Sequence, residues 1–91
     1  MSRENKTGRR LIFANGIVWE NTELGAADGT VWLFLYGITL MQALPVITNP
    51  EATREITFEY GEMSETYTGY THLKTITEDA TGCQACLVKE A

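Results

Sequence analysis

The sequence predicts a mainly β domain with one or two short helices, and three observations carry that reading. Asn15-Gly16 stands between two apolar runs, the strongest short-range hairpin signal. Segments 30–36 and 55–60 alternate with the period of two that a strand requires. Turn residues recur at short spacing, which suits antiparallel meanders better than βαβ crossovers. The expected architecture is two antiparallel three-stranded meanders forming a small sandwich or partly open barrel, with a helical segment plugging one end.

The first hairpin is expected as strands over about 10–14 and 17–23, joined by a type I′ turn at Asn15-Gly16, where both residues tolerate positive φ. Gly25-Ala26-Ala27-Asp28-Gly29 marks the next break. In the strand 30–36, Val31, Leu33 and Leu35 alternate with Trp32, Phe34 and Tyr36. Both faces are apolar, so this strand should be central and covered on both sides, one side by the core and the other by a subunit contact.

Thr39-Leu40-Met41-Gln42 fits a capping box, opening a helix over 40–44 that should stop before Pro45. Asn49-Pro50-Glu51 opens a second helix of about one turn, with an N-cap, a proline at the first helical position and an acid near the positive end of the dipole. Segment 55–60 is a strand with one buried face, and 61–65 is a turn. Residues 66–77 form a long β run in which Gly69 marks a bulge or a close packing point. A turn over 78–82 leads into a last strand over 83–89.

The chain of 91 residues is long enough for one modest core, and its 44% apolar and 21% charged content is that of an ordinary globular protein. No apolar run approaches the roughly 18 residues that cross a membrane, and the first residues lack the apolar stretch of a signal peptide. A cytoplasmic location is therefore expected, or incorporation into a particle assembled there. Charge divides the chain. The first ten residues sum to +3, through Arg3, Lys6, Arg9 and Arg10 against Glu4, and the remainder sums to −8. Segment 1–9 reads as a flexible basic tail on a single β-rich domain over 10–91. The acidic body argues against nucleic acid as a partner, because phosphate binding needs clustered Lys and Arg.

Cys83-Gln84-Ala85-Cys86 is the one formal motif. Redox pairs of this spacing work at a helix N-terminus, which lowers the first thiol's pKa. Here the pair falls in a strand, where positions i and i+3 point to opposite faces. Free cysteines commonly pack as small hydrophobes, and that is the expectation here. The alternative is a small metal- or ligand-binding domain using Cys83, Cys86 and His72, although a structural zinc site usually takes four ligands. His72 alone lacks a nucleophile elbow or a defined orienting partner. Glu51, Glu55, Glu59, Glu62 and Glu65 read as solvated outward faces and turns, which keep sheets soluble. No cofactor and no catalytic residue is assigned, and the protein is expected not to be an enzyme.

The aromatic residues are more informative. Trp19, Trp32, Phe34, Tyr36, Phe58, Tyr60, Tyr67 and Tyr70 exceed what one small core needs, and Tyr and Trp are favoured contact residues. Trp32, Phe34, Tyr36, Tyr67 and Tyr70 are the candidate interface residues. A sheet edge is a further candidate contact.

The hairpin start at 11–19, the strand 30–36, the segment Asn49-Pro50-Glu51-Ala52-Thr53-Arg54-Glu55-Ile56 and the strand Tyr67-Thr68-Gly69-Tyr70-Thr71 resemble small proteins encoded by phages and prophages of Gram-positive gut bacteria. The resemblance spans about residues 10–89. It implies an uncharacterised structural or protein-interaction module, associated with a phage tail or connector, whose partners are copies of itself or other phage structural proteins. It brings no catalytic residues with it.

Overall fold

A computed structural model describes residues 8–89. Eight strands and two short helices follow in the order β1 (Arg9–Phe13), β2 (Val18–Glu20), β3 (Thr22–Ala27), β4 (Thr30–Tyr36), α1 (Leu40–Ile47), α2 (Pro50–Thr53), β5 (Glu55–Tyr60), β6 (Met63–Thr68), β7 (His72–Asp79) and β8 (Gly82–Val88). The protein is mainly β, as expected, and its two antiparallel sheets pack face to face without closing into a barrel. Most of the expected basic tail, residues 1–7, lies outside the described residues. Arg9 is already the first residue of β1.

The sheets are four-stranded rather than three-stranded. The first has the order β2-β1-β5-β6 and the second β3-β4-β8-β7. The chain lays down a hairpin in the first sheet, crosses, lays down a hairpin in the second, passes through the helices, and repeats the same course. Each sheet therefore joins a hairpin from either half, through β1–β5 in the first and β4–β8 in the second. The expected meanders would have confined each half to its own sheet. That would leave each half with fewer strands to bury the same apolar stripes.

The crossings replace two expected continuous strands. The run 17–23 breaks at Asn21, whose φ of 58° turns the chain from β2 into β3. The run 66–77 breaks at Gly69, φ 88°, so this glycine is a corner between sheets and not a bulge. The irregularity of register in that region lies between Leu73 and Thr75 of β7.

Turn chemistry explains the hairpins. At the first, Phe13 N–H donates to Ile17 O at 2.8 Å and Gly16 N–H to Phe13 O at 2.9 Å. Ala14-Asn15-Gly16 is thus a three-residue loop ending on Gly16 at φ 93°, and the expected two-residue type I′ turn is not formed. A two-residue loop with positive φ at both positions occurs instead at Asp28-Gly29 (41° and 76°). Gly25 is inside β3 and makes no break. The expected turn over 61–65 shortens to Gly61-Glu62, and β6 begins at Met63.

The helices close one end. Thr39 and Gln42 form the expected capping box, with Gln42 N–H on Thr39 Oγ1 at 3.1 Å and Thr39 N–H on Gln42 Oε1 at 2.9 Å. The helix passes through Pro45 instead of stopping before it. Pro45 forfeits one helical hydrogen bond, but continuing to Ile47 buries Val46 and Ile47 in the core. Asn49 caps α2 as expected, its side chain accepting from Glu51 N–H at 3.1 Å. The core is formed by the inward rows Leu11 and Phe13, Val31, Leu33 and Leu35, Ile56 and Phe58, and Cys83, Ala85 and Leu87. A fully buried Leu, Ile, Val or Phe contributes about 1.5–3 kcal/mol.

Candidate interaction face

The two sheets differ sharply on their outer surfaces. The first is mostly polar there, with Ile12 and Val18 its apolar members. Arg10 of β1 lies between Glu59 (2.8 Å) and Glu20 (3.7 Å), and Thr57 and Thr66 share a hydroxyl hydrogen bond of 3.1 Å. The outer surface of the second sheet is aromatic, because β4 points its inner row, Val31, Leu33 and Leu35, into the core and sends Trp32, Phe34 and Tyr36 outward.

Register sets the neighbours of this aromatic row. Trp32 stands between Gly25 of β3 and Cys86 of β8, Phe34 between Glu23 and Gln84, and Tyr36 opposite Gly82. The Trp32 ring lies across Gly25, where a Cβ would be 3.9 Å from it. Trp32, Phe34 and Tyr36 are all half-buried, and they are not among the residues packed against the core. Cys86 is 9% exposed although it is on the outer side, since the aromatic row shelters it. Among the described residues, the centre of the face carries no charge. Glu23 and Asp79 stand toward its margins.

One shallow depression opens on this face, lined by Phe34, Tyr36, Thr77, Asp79, Thr81 and Gln84, and it encloses about 50 Å³. That is far below the roughly 300–1,000 Å³ of sites for organic ligands. Thr81 donates its hydroxyl (2.7 Å) and its N–H (2.8 Å) to Asp79, which holds that carboxylate below its ordinary pKa.

Tyr67 and Tyr70 do not join the aromatic row. They meet edge to face at the Gly69 corner, with centroids 6.2 Å apart, and pack against the core margin. Lys89 Nζ lies 5.4 Å from the Tyr70 ring centroid, a cation–π contact. Glu65 accepts hydrogen bonds from the hydroxyls of both Tyr60 (2.9 Å) and Tyr67. The five candidate interface residues thus form two separate groups.

Cys83, Cys86 and His72 do not converge. Cys83 faces the core and donates its thiol to Ile38 O at 3.2 Å. Cys86 is on the opposite face of β8, as the strand period requires, and the sheet lies between the two sulfurs. His72 is exposed at the start of β7, opposite Val88. Among the described residues, no three His, Cys, Asp or Glu side chains are grouped to hold a metal ion. No described helix is long and apolar enough to cross a membrane.

No protein-family model, curated protein or solved structure matches this chain.

Two members of the face were not singled out from sequence. Gly25 falls in the segment expected as a chain break, and Gln84 inside the cysteine motif. The signal for both was the alternation of their strands, which registers with β4 only once β3 and β8 are placed on either side of it.

Proposed function

We propose that this protein is a non-enzymatic structural module that self-associates through the outer face of its second sheet. The observation that carries this reading is the half-buried row Trp32–Phe34–Tyr36 on a sheet whose centre is uncharged and whose charges stand at its margins. An apolar, aromatic centre with a polar rim is the anatomy of a protein contact. An isologous two-fold contact of this face with its own copy is the simplest arrangement. Its resemblance to phage-encoded proteins supports a place as a tail- or connector-associated component, made in the cytoplasm of the producing cell and then incorporated.

Light-scattering mass at high micromolar concentration tests this. The native chain should exceed the monomer mass, and Phe34→Lys should lower the mass while the far-ultraviolet circular dichroism stays unchanged. A native monomer at that concentration overturns the reading. Neighbouring genes for capsid, tail or tape-measure proteins support the particle role, and a metabolic operon overturns it.

A further inference from the structure

Among the described residues, four strands form the edges of the two sheets, and three of them carry a device that discourages pairing. β2 is only three residues long. β3 holds Glu23, which the Arg9 guanidinium of the first sheet reaches at 3.2 Å. β7 has an irregular register between Leu73 and Thr75, with Lys74 at the break, and ends on Glu78 and Asp79. β6 is blunted least: it is neither short nor broken, and its one charge, Glu65, already accepts from the Tyr60 and Tyr67 hydroxyls of its own sheet. It runs six residues in unbroken register with β5, contains no Lys or Pro, and is exposed at every position except Tyr67.

The direction of its backbone groups follows from the turn. Tyr60 and Met63 close the two-residue loop Gly61-Glu62 and form a hydrogen-bonded pair, so Phe58–Glu65 and Ile56–Tyr67 are bonded as well. Gly69 N–H on Arg54 O at 3.0 Å continues the series. The N–H and C=O groups of Ser64, Thr66 and Thr68 therefore point away from β5, along the open edge.

We propose that a second copy of this chain adds to this edge, β6 against β6 antiparallel, about a two-fold axis at Thr66. This register pairs Ser64 with Thr68 and Thr66 with itself, so every outward backbone group of those residues is answered. Centring on Glu65 would set like charges opposite one another, which is destabilising. Centring on Ser64 or Tyr67 would leave outward groups unpaired. With the axis at Thr66, each Glu65 faces Tyr67 of the partner subunit instead of a second carboxylate. The Glu62 turn approaches the corner where the partner subunit's Lys89 lies over Tyr70, bringing opposite charges together. The Thr57–Thr66 hydroxyl pair extends into a four-threonine ladder across the joint.

The edge rests on a different observation from the aromatic face, and pairing through it does not require that face. The two contacts involve different sheets, so both operate at once and the assembly grows beyond a dimer. Thr66→Pro is a selective test. It removes an N–H that points away from β5 and leaves the β5 ladder intact. Thr66→Lys serves if the proline variant loses its circular dichroism. The native protein should grow in mass with concentration, Thr66→Pro should stop at the face-paired dimer, Phe34→Lys at the edge-paired dimer, and the double variant at the monomer. Folded Thr66→Pro and Thr66→Lys with native mass overturn the edge pairing, whereas native mass in Phe34→Lys overturns only the aromatic contact. A short bismaleimide should link Thr66→Cys subunits about tenfold faster than Ser64→Cys subunits, since a self-paired residue faces its copy at about 5.5 Å between Cα atoms. Equal rates overturn the register.

Discussion

A Cβ atom placed on Gly82 would stand 2.1 Å from the carbonyl oxygen of Leu35. Gly82 opens β8 beside the end of β4, at φ 143°, a conformation that side-chain-bearing residues rarely adopt. Gly82→Ala must push these two central strands apart, so it should destabilise the fold by about 3 kcal/mol. A urea midpoint lowered by that amount, with an unchanged slope, is the expected result.

Thr22 offers the opposite case. It is 0% exposed, and no described group hydrogen-bonds its hydroxyl. Burying an unanswered hydroxyl is unfavourable, and valine has the same shape without it. Thr22→Val should stabilise the protein by about 1 kcal/mol, read as a raised thermal midpoint.

The two thiols should be inert while the chain is folded. Both are buried, and they face opposite sides of one strand. Burial raises the Cys83 pKa, and the nearby Glu78 and Asp79 carboxylates raise it further. The folded state therefore holds this proton more tightly than the unfolded state. Its contribution to stability is present below the ordinary thiol pKa and is lost as pH rises toward the elevated value. Alkylation by iodoacetamide at pH 8 should be slow in buffer and rapid in denaturant, with no disulfide between Cys83 and Cys86 by mass spectrometry.

Glu65 couples two tyrosines. Its carboxylate accepts from both hydroxyls, which pushes the Tyr67 pKa up to about 12, raises that of Tyr60, and lowers its own below the ordinary range, with the Tyr67 bond as the larger cause. The signs follow from linkage. The Glu65 contribution is present above the ordinary carboxylate pKa and lost as pH falls through the lowered value. The Tyr67 contribution is present below the ordinary phenol pKa and lost as pH rises toward about 12. Titration by tyrosinate absorbance should show a high-pH component that moves down in Glu65→Gln.

Local chemistry was legible in the sequence. The alternation of 30–36 identified both faces of β4, Thr39 and Gln42 announced their capping box, and Asn49-Pro50 announced α2. These features depend on residues a few positions apart, whose geometry is set by backbone sterics and nearest hydrogen bonds. Asn21 shows where that reach ends. Its positive φ turns the chain from one sheet into the other, yet nothing around it reads as a break. Pro45 shows the same limit, since its helix continues because Ile47 finds a core made by distant strands.

The sequence by itself determined a β-rich chain, its hairpins and the apolar character of both sides of strand 30–36. Only the tertiary structure decided that β1 pairs with β5 and β4 with β8, that Trp32, Phe34 and Tyr36 form one face apart from Tyr67 and Tyr70, and that β6 is left as an open edge. The physical reason is that strand partners are selected by the burial the whole chain achieves together. A backbone hydrogen bond is much the same whichever strand supplies it, whereas the apolar surface removed from water depends on the complete arrangement.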